Sequence, residues 1–184
     1  MAVKRAPIIV IPDLDANCAA DYKALANGVR PAHFMLVYKL SDDEKSMILE
    51  HKIPYRGSSR IPWSSLEDLL PDQNPRWIFA NVEYVMAGGD MRRNKVLYVA
   101  WSPDTITRPT MRESARVKSL SVLLEQVFLP AVGAQNPDVK MQANCKEDLD
   151  VVEVLKRVSR FERGGEVNMD MSAFALEHPQ EKFV

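Results

Sequence analysis

Ten cations in three short stretches are the residues of this chain best equipped to do chemistry, and the chemistry they suit is recognition. Arg92, Arg93 and Lys95 stand at the mouth of an apolar run. Arg108, Arg112, Arg116 and Lys118 follow it, and Lys156, Arg157 and Arg160 come near the end. Residues 91–120 hold seven of them against two anions, Asp104 and Glu113. Guanidinium and ammonium groups grouped this way pair with carboxylates on an acidic surface. Bond-making chemistry has no comparable constellation. His33, His51 and His178 lie outside metal-ligand spacing of one another and of cysteine. HExxH, GxxxxGK[ST] and GxSxG do not occur. Asp42 and Asp43 fall in a turn, where acidic side chains are ordinarily solvated. No cofactor, metal or catalytic residue is therefore expected, and the chain reads as a non-enzyme.

Elements must position these cations. Asp15 is placed to cap a helix carrying Cys18, Tyr22, Leu25 and Ala26, with Gly28 as its stop. HFMLVYKL (33–40) and KSMILEH (45–51) read as strands around the turn formers Ser41-Asp42-Asp43. Residues 53–62 read as loop. A short helix follows from Ser64 or Ser65, with Leu66, Leu69 and Leu70 on its stripe and Pro71 after it. Residues 77–86 and 95–101 are the clearest strands, separated by Gly88-Gly89-Asp90. Thr110 with Glu113 makes a capping box for a helix to about Val127, with Val117, Leu120, Leu124 and Val127 on one face. Arg112, Arg116 and Ser119 share another face at i, i+4, i+7. Residues 128–137 read as loop and 138–143 as a strand. Asn144 with Glu147 opens a last helix through Leu149, Val152 and Leu155. Hairpins interleaved with long helices predict a mixed α/β fold: a mixed sheet covered by helices on both faces.

The bulk numbers fit a single ordinary domain. At 184 residues the chain can bury a real core, and 46% apolar with 27% charged is a globular mix. A net charge of −1 creates no global field toward nucleic acid or an anionic membrane, so electrostatic partners must be read by local patches. Two cysteines without a CxxC spacing favour a reduced, cytoplasmic setting, and no stretch approaches a membrane span. Each basic cluster alone admits an ordinary reading: a solvated helix face, a favourable helix-dipole contact, or protection of a strand edge. One acidic protein partner accounts for all three.

The stretch RRNKVLYVAWSPDTITRPTMRESARVK, from Arg92 to Lys118, resembles the actin-depolymerising factor/cofilin family, in which a basic strand mouth leads through an apolar strand into a Trp-x-Pro-Asp turn and a long helix opening near a methionine. VYKLSDDEK (37–45), SSLEDLLPDQNPRWIFANVEY (64–84) and VKMQANCKEDLDVVEVLKRVSR (139–160) extend the resemblance in consistent order over about residues 13–160. It implies a largely antiparallel sheet sandwiched between helices and two actin-binding surfaces. The monomer surface would use Arg108, Met111, Arg112, Arg116 and Lys118; the filament surface would use Arg92, Arg93, Lys95, Arg157 and Arg160. The expected organisation is an actin-binding domain over 1–160 and a C-terminal extension over 161–184.

The implied partners are actin monomers and filaments, with no nucleic acid and no transmembrane segment, and the implied state is a cytoplasmic monomer on the actin cytoskeleton. The implied function is filament severing and depolymerisation. A glia-maturation-factor type of debranching protein is the alternative, and a small enzyme with an unrecognised site the remote one. The chain departs from the family pattern at Arg108-Pro109-Thr110-Met111, where Lys-x-Lys-Met is usual, and at Ser114-Ala115-Arg116-Val117, where a run of small residues is usual. No Ser or Thr precedes Ser41, so the N-terminal phosphoserine switch of many members has no counterpart here.

Overall fold

A computed structural model describes residues 13–27, 31–55, 66, 68–85, 92–107, 111–134 and 136–159. Six strands form one sheet: β1 (Asp13–Leu14), β2 (His33–Leu40), β3 (Ser46–Pro54), β4 (Arg76–Val85), β5 (Arg92–Trp101) and β6 (Val139–Ala143). Among the described residues the helices α1 (Cys18–Ala26), α2 (Met111–Ala131) and α3 (Val151–Ser159) accompany them, with a 3-10 turn at Lys146–Leu149 before α3. The strand order is β1-β3-β2-β4-β5-β6. The β3–β2, β2–β4 and β4–β5 pairs are antiparallel, while β1–β3 and β5–β6 are parallel. The expected mixed, largely antiparallel sheet between helices is what forms.

Strand alternation divides the core in two. One face carries Met35, Val37, Ile78, Ala80, Val82, Leu97, Val99, Trp101, Val139 and Met141, and is covered by Leu66, Leu70, Leu149 and the α3 valines Val154 and Val158. The other carries Leu36, Tyr38, Trp77, Phe79, Val96 and Tyr98. Cys18, Tyr22 and Leu25 of α1, with Leu124, Phe128 and Leu129 of α2, cover it. Phe79 is the hub of this second face. Its ring centroid lies 4.9 Å from Tyr22, 5.2 Å from Tyr98 and 5.8 Å from Phe128.

Strands extend beyond their expected ends. β3 runs through Ile53 and Pro54, read above as loop, because Ile53 pairs with Met35 and Pro54 with His33. β5 begins at Arg92, so all three cations at its mouth are strand residues. The long helix also overruns its expected stop near Val127 and absorbs Phe128-Leu129-Pro130-Ala131. Burial of Phe128 and Leu129 against the aromatic face outweighs the cost of a proline in the last turn. The helix then ends in a Schellman motif. Gly133, at φ +80°, donates to the Pro130 carbonyl (3.0 Å) and Ala134 donates to the Leu129 carbonyl (2.8 Å). The last helix does not open at Asn144. It starts after Asp150, whose Oδ1 accepts the backbone N–H groups of Val152 (2.9 Å) and Glu153 (3.3 Å). Val152, expected on the apolar stripe, is exposed.

Two ionic groups fasten the sheet. Val37 pairs with His51 and Tyr38 with Leu49, so Glu50 is the extra residue of a β-bulge. The bulged Glu50 takes two bonds from the buried guanidinium of Arg76 (2.5 and 3.1 Å), with Lys39 Nζ 3.3 Å away. Burial opposes its charge, but the Arg76 bonds and charge prevail and hold its carboxyl below the usual range. On the far side of β2, buried Asp21 of α1 is bonded by Lys52 and lies 3.7 Å from His33 Nε2. Nearby Cys18 is buried under α1, and burial first, then the charges of Asp15 and Asp21, push its thiol up to about 11.

Candidate functional site

The site grows from where β5 leaves the body of the sheet. β6 joins β5 only from Leu97, opposite Val139. Just before that point, the Asp138 carboxylate accepts the Val96 N–H at 2.7 Å. Among the described residues, 92–96 therefore pair with β4 and not with β6, Arg92 opposite Val85, Arg93 opposite Tyr84 and Lys95 opposite Val82. Lys95 is in phase with Leu97, Val99 and Trp101, the residues under α3. Its Nζ donates to the main-chain carbonyl of Val158 at 2.9 Å. That bond joins the strand mouth to the C-terminal turn of α3 across 63 residues of sequence. Arg93 occupies the same strand phase as Lys95, and Arg92 the opposite one.

α3 is seated on Val154 and Val158, both fully buried. This puts Lys156 and Arg157 on the exposed side. Lys156 Nζ is bonded to Glu153 Oε1 at 2.5 Å. Arg157 faces the foot of the helix electrostatically. Asp148 is held below the ordinary carboxylate range, chiefly by the Asn144 N–H (2.7 Å), with the Arg157 charge adding to the effect. Asp148 also completes a capping box with Cys145 around the 3-10 turn.

A second region leads from β5 into α2. Trp101 Nε1 donates to the Pro71 carbonyl (2.9 Å), and Ser102 N–H donates to the Ala143 carbonyl (2.9 Å). Gln73 then grips the outgoing chain: its Nε2 donates to the Thr105 carbonyl (2.9 Å) and its Oε1 accepts the Thr107 N–H (2.9 Å). The Trp-Ser-Pro-Asp turn is thereby fixed against two neighbouring loops before α2 opens at Met111. Along α2, Ala115 and Ser119 are exposed while Leu124 and Phe128 are buried. Ser119 shares the face that the sequence assigns to Arg112 and Arg116, and that face is the outer one at this point.

Of the expected filament-surface residues, Lys95 reaches the carbonyl of Val158, the neighbour of Arg157 in sequence, and Arg92 and Arg93 lie in the same strand as Lys95. Arg160 lies outside the described residues, as do the side chains of Arg92 and Arg93. Of the expected monomer-surface residues, Met111, Arg112, Arg116 and Lys118 are on α2, their side chains outside the described set. Arg108 and the Thr110 cap lie outside it altogether. Among the described residues no cluster of three His, Cys, Asp or Glu side chains could hold a metal ion. No helix among them is long and apolar enough to cross a membrane.

Residues 12–159 match a protein family described as cofilin/tropomyosin-type actin-binding proteins. The chain belongs to that family. A cofilin of Gibberella zeae is 28% identical over 137 residues, 68% of this chain and 80% of the relative. Cofilin-1A of Dictyostelium discoideum is 28% identical over 92 residues, 50% of this chain and 61% of the relative. Among solved structures, a Streptomyces griseoflavus cofilin superposes with a TM-score of 0.62 at 19% identity, over 80% of this chain and 96% of its own. A coactosin from Entamoeba histolytica also reaches 0.62, at 12% identity, over 83% and 97%. At such identities the likeness is one of fold, and it is the fold of cofilin relatives that carries the two regions described above.

Three positioning groups escaped the sequence reading: Asp150, Asp138 and Gln73. Asp150 had a readable signal, since Asp-x-x-Glu before an apolar turn is a capping pattern. Asp138 and Gln73 act across loops on distant backbone, and no local spacing marks them.

Proposed function

We infer that this cofilin-family chain binds actin monomers and filaments and promotes filament severing and depolymerisation, acting in the cytoplasm on the actin cytoskeleton. Residues 1–160 would form the binding domain and 161–184 an extension to it. Arg92, Arg93, Lys95, Arg157 and Arg160 would serve the filament surface, and Arg108, Met111, Arg112, Arg116 and Lys118 the monomer surface. The observation that supports this division is the Lys95–Val158 bond. It joins the mouth of β5 to the last turn of α3, on the sheet face opposite the one that α2 covers.

No covalent bond is made or broken in this activity. Severing follows if the protein binds one twist state of the filament more tightly than another, so that decoration shifts the filament equilibrium and weakens contacts where decorated and bare stretches meet. Charges at the rim of such a contact set association rate and salt sensitivity, while an apolar anchor such as Met111 sets residence time.

Co-sedimentation with actin filaments, paired with a monomer-binding assay, tests the assignment. Arg93→Ala combined with Arg157→Ala should weaken filament binding at least about tenfold and leave monomer binding within twofold, the pattern for losing two charge-assisted contacts from one surface. Equal loss in both assays would show that the two surfaces are not separate. Single-filament imaging should show severing by the parent protein; removal of branches without severing would assign it instead to the debranching type.

A further inference from the structure

Lys95 and Arg157 are both cations of the proposed filament patch, yet their surroundings differ. Arg157 is exposed, whereas Lys95 is half-buried and its ammonium is engaged by the Val158 carbonyl. The last four carbonyls of any α-helix lack partners within the helix, and Val158 is one of these in α3. α3 has nine residues, a length at which an isolated helix is marginal, so its pose is set by what holds it from outside. Val154 and Val158 fix which side faces the sheet. Asp150 holds the first turn through the Val152 and Glu153 N–H groups. Lys95 holds the last turn, where a positive charge also complements the helix dipole.

We propose that Lys95 is a positioning residue, one that fixes the C-terminal turn of α3 so that Arg157 meets the filament at a set angle to the β5 mouth. This rests on the filament surface proposed above and deepens it, because it assigns Lys95 to the protein's own scaffold and leaves the contact to Arg157. The two roles differ in additivity. A contact residue and Arg157 would contribute independently, while a residue acting through Arg157 has little left to contribute once Arg157 is gone.

A double-mutant cycle on the full chain, read by filament co-sedimentation, separates them. Lys95→Met and Arg157→Ala should each weaken filament binding about tenfold, and together about 10- to 30-fold. Lys95→Arg, which keeps a charged donor, should recover most of the single loss. Amide exchange at Val158 and Ser159 should quicken in Lys95→Met and not in Arg157→Ala. A combined loss near 100-fold, or exchange unchanged in Lys95→Met, overturns the positioning role. Loss from Arg157→Ala with none from Lys95→Met overturns it too. If neither single variant weakens filament binding, the filament surface itself is wrong. Monomer binding serves as the check on folding. Should Lys95→Met fail that check, Lys95→Gln, one bond shorter, runs through the same cycle.

Discussion

Under α1 and α2 the sheet presents rings, Tyr38, Trp77, Phe79 and Tyr98, which meet Tyr22 and Phe128 from the helices. Under α3 it presents mostly aliphatic side chains, with the rings of Trp101 and the partly buried Phe34. The long helix, of 21 residues, lies on the first face, and the nine-residue helix on the second. Large rings hold the C-terminal half of the long helix through contact area. The short helix has less area to draw on and depends on charged groups at both of its ends. Packing holds helices on both sides, and at each end of the short one a charged side chain adds hydrogen bonds.

The largest effect that separates the two is expected from Phe79→Ala. Removing the hub of the aromatic face should cost about 3–5 kcal/mol in denaturant unfolding, with the ratio of filament to monomer affinity unchanged in the folded fraction. Val154→Ala on the other face should cost roughly 2 kcal/mol but shift that ratio, weakening filament binding while sparing monomer binding. If Val154→Ala leaves the ratio alone, the helix does not rely on its seat and the contrast between the faces fails.

The smallest effect concerns acid. Asp148 has a native pKa depressed by the Asn144 N–H and, further, by Arg157. Its contribution to stability is therefore complete above the unfolded-state value of about 3.9 and disappears as pH falls through the lower native value. Asp148→Asn should flatten that part of the acid limb, below about pH 5, in a pH series of thermal unfolding. An unchanged acid limb would remove Asp148 from the capping account of the second face.

Legibility in the sequence followed the same division. β2, β4 and β5 were readable because aromatic and β-branched residues recur there in runs bounded by turn formers. α1 was readable from Cys18, Tyr22 and Leu25. The end of α2 was not, since Phe-Leu-Pro-Ala reads locally as a break, and only the buried places of Phe128 and Leu129 keep the helix going. The start of α3 was misplaced because Asn144 and Glu147 mimic a capping pair, while the true cap, Asp150, comes after a 3-10 turn. The candidate site showed as a list of cations, which only the family resemblance grouped into surfaces, and the bond that ties Lys95 to the last helix did not show. Lys95 and Val158 are brought together by the parallel addition of β6 and the return of α3, and no local pattern encodes that. Nor does the charge of Lys95 reveal that a carbonyl of its own chain takes it up.

Pushed up to about 11, chiefly by burial, the Cys18 thiol stays protonated at neutral pH. Peroxide and electrophiles attack the ionised form, so they find almost nothing to react with beneath α1. The same burial that seats α1 on the aromatic face therefore also quiets the sulfur beneath it.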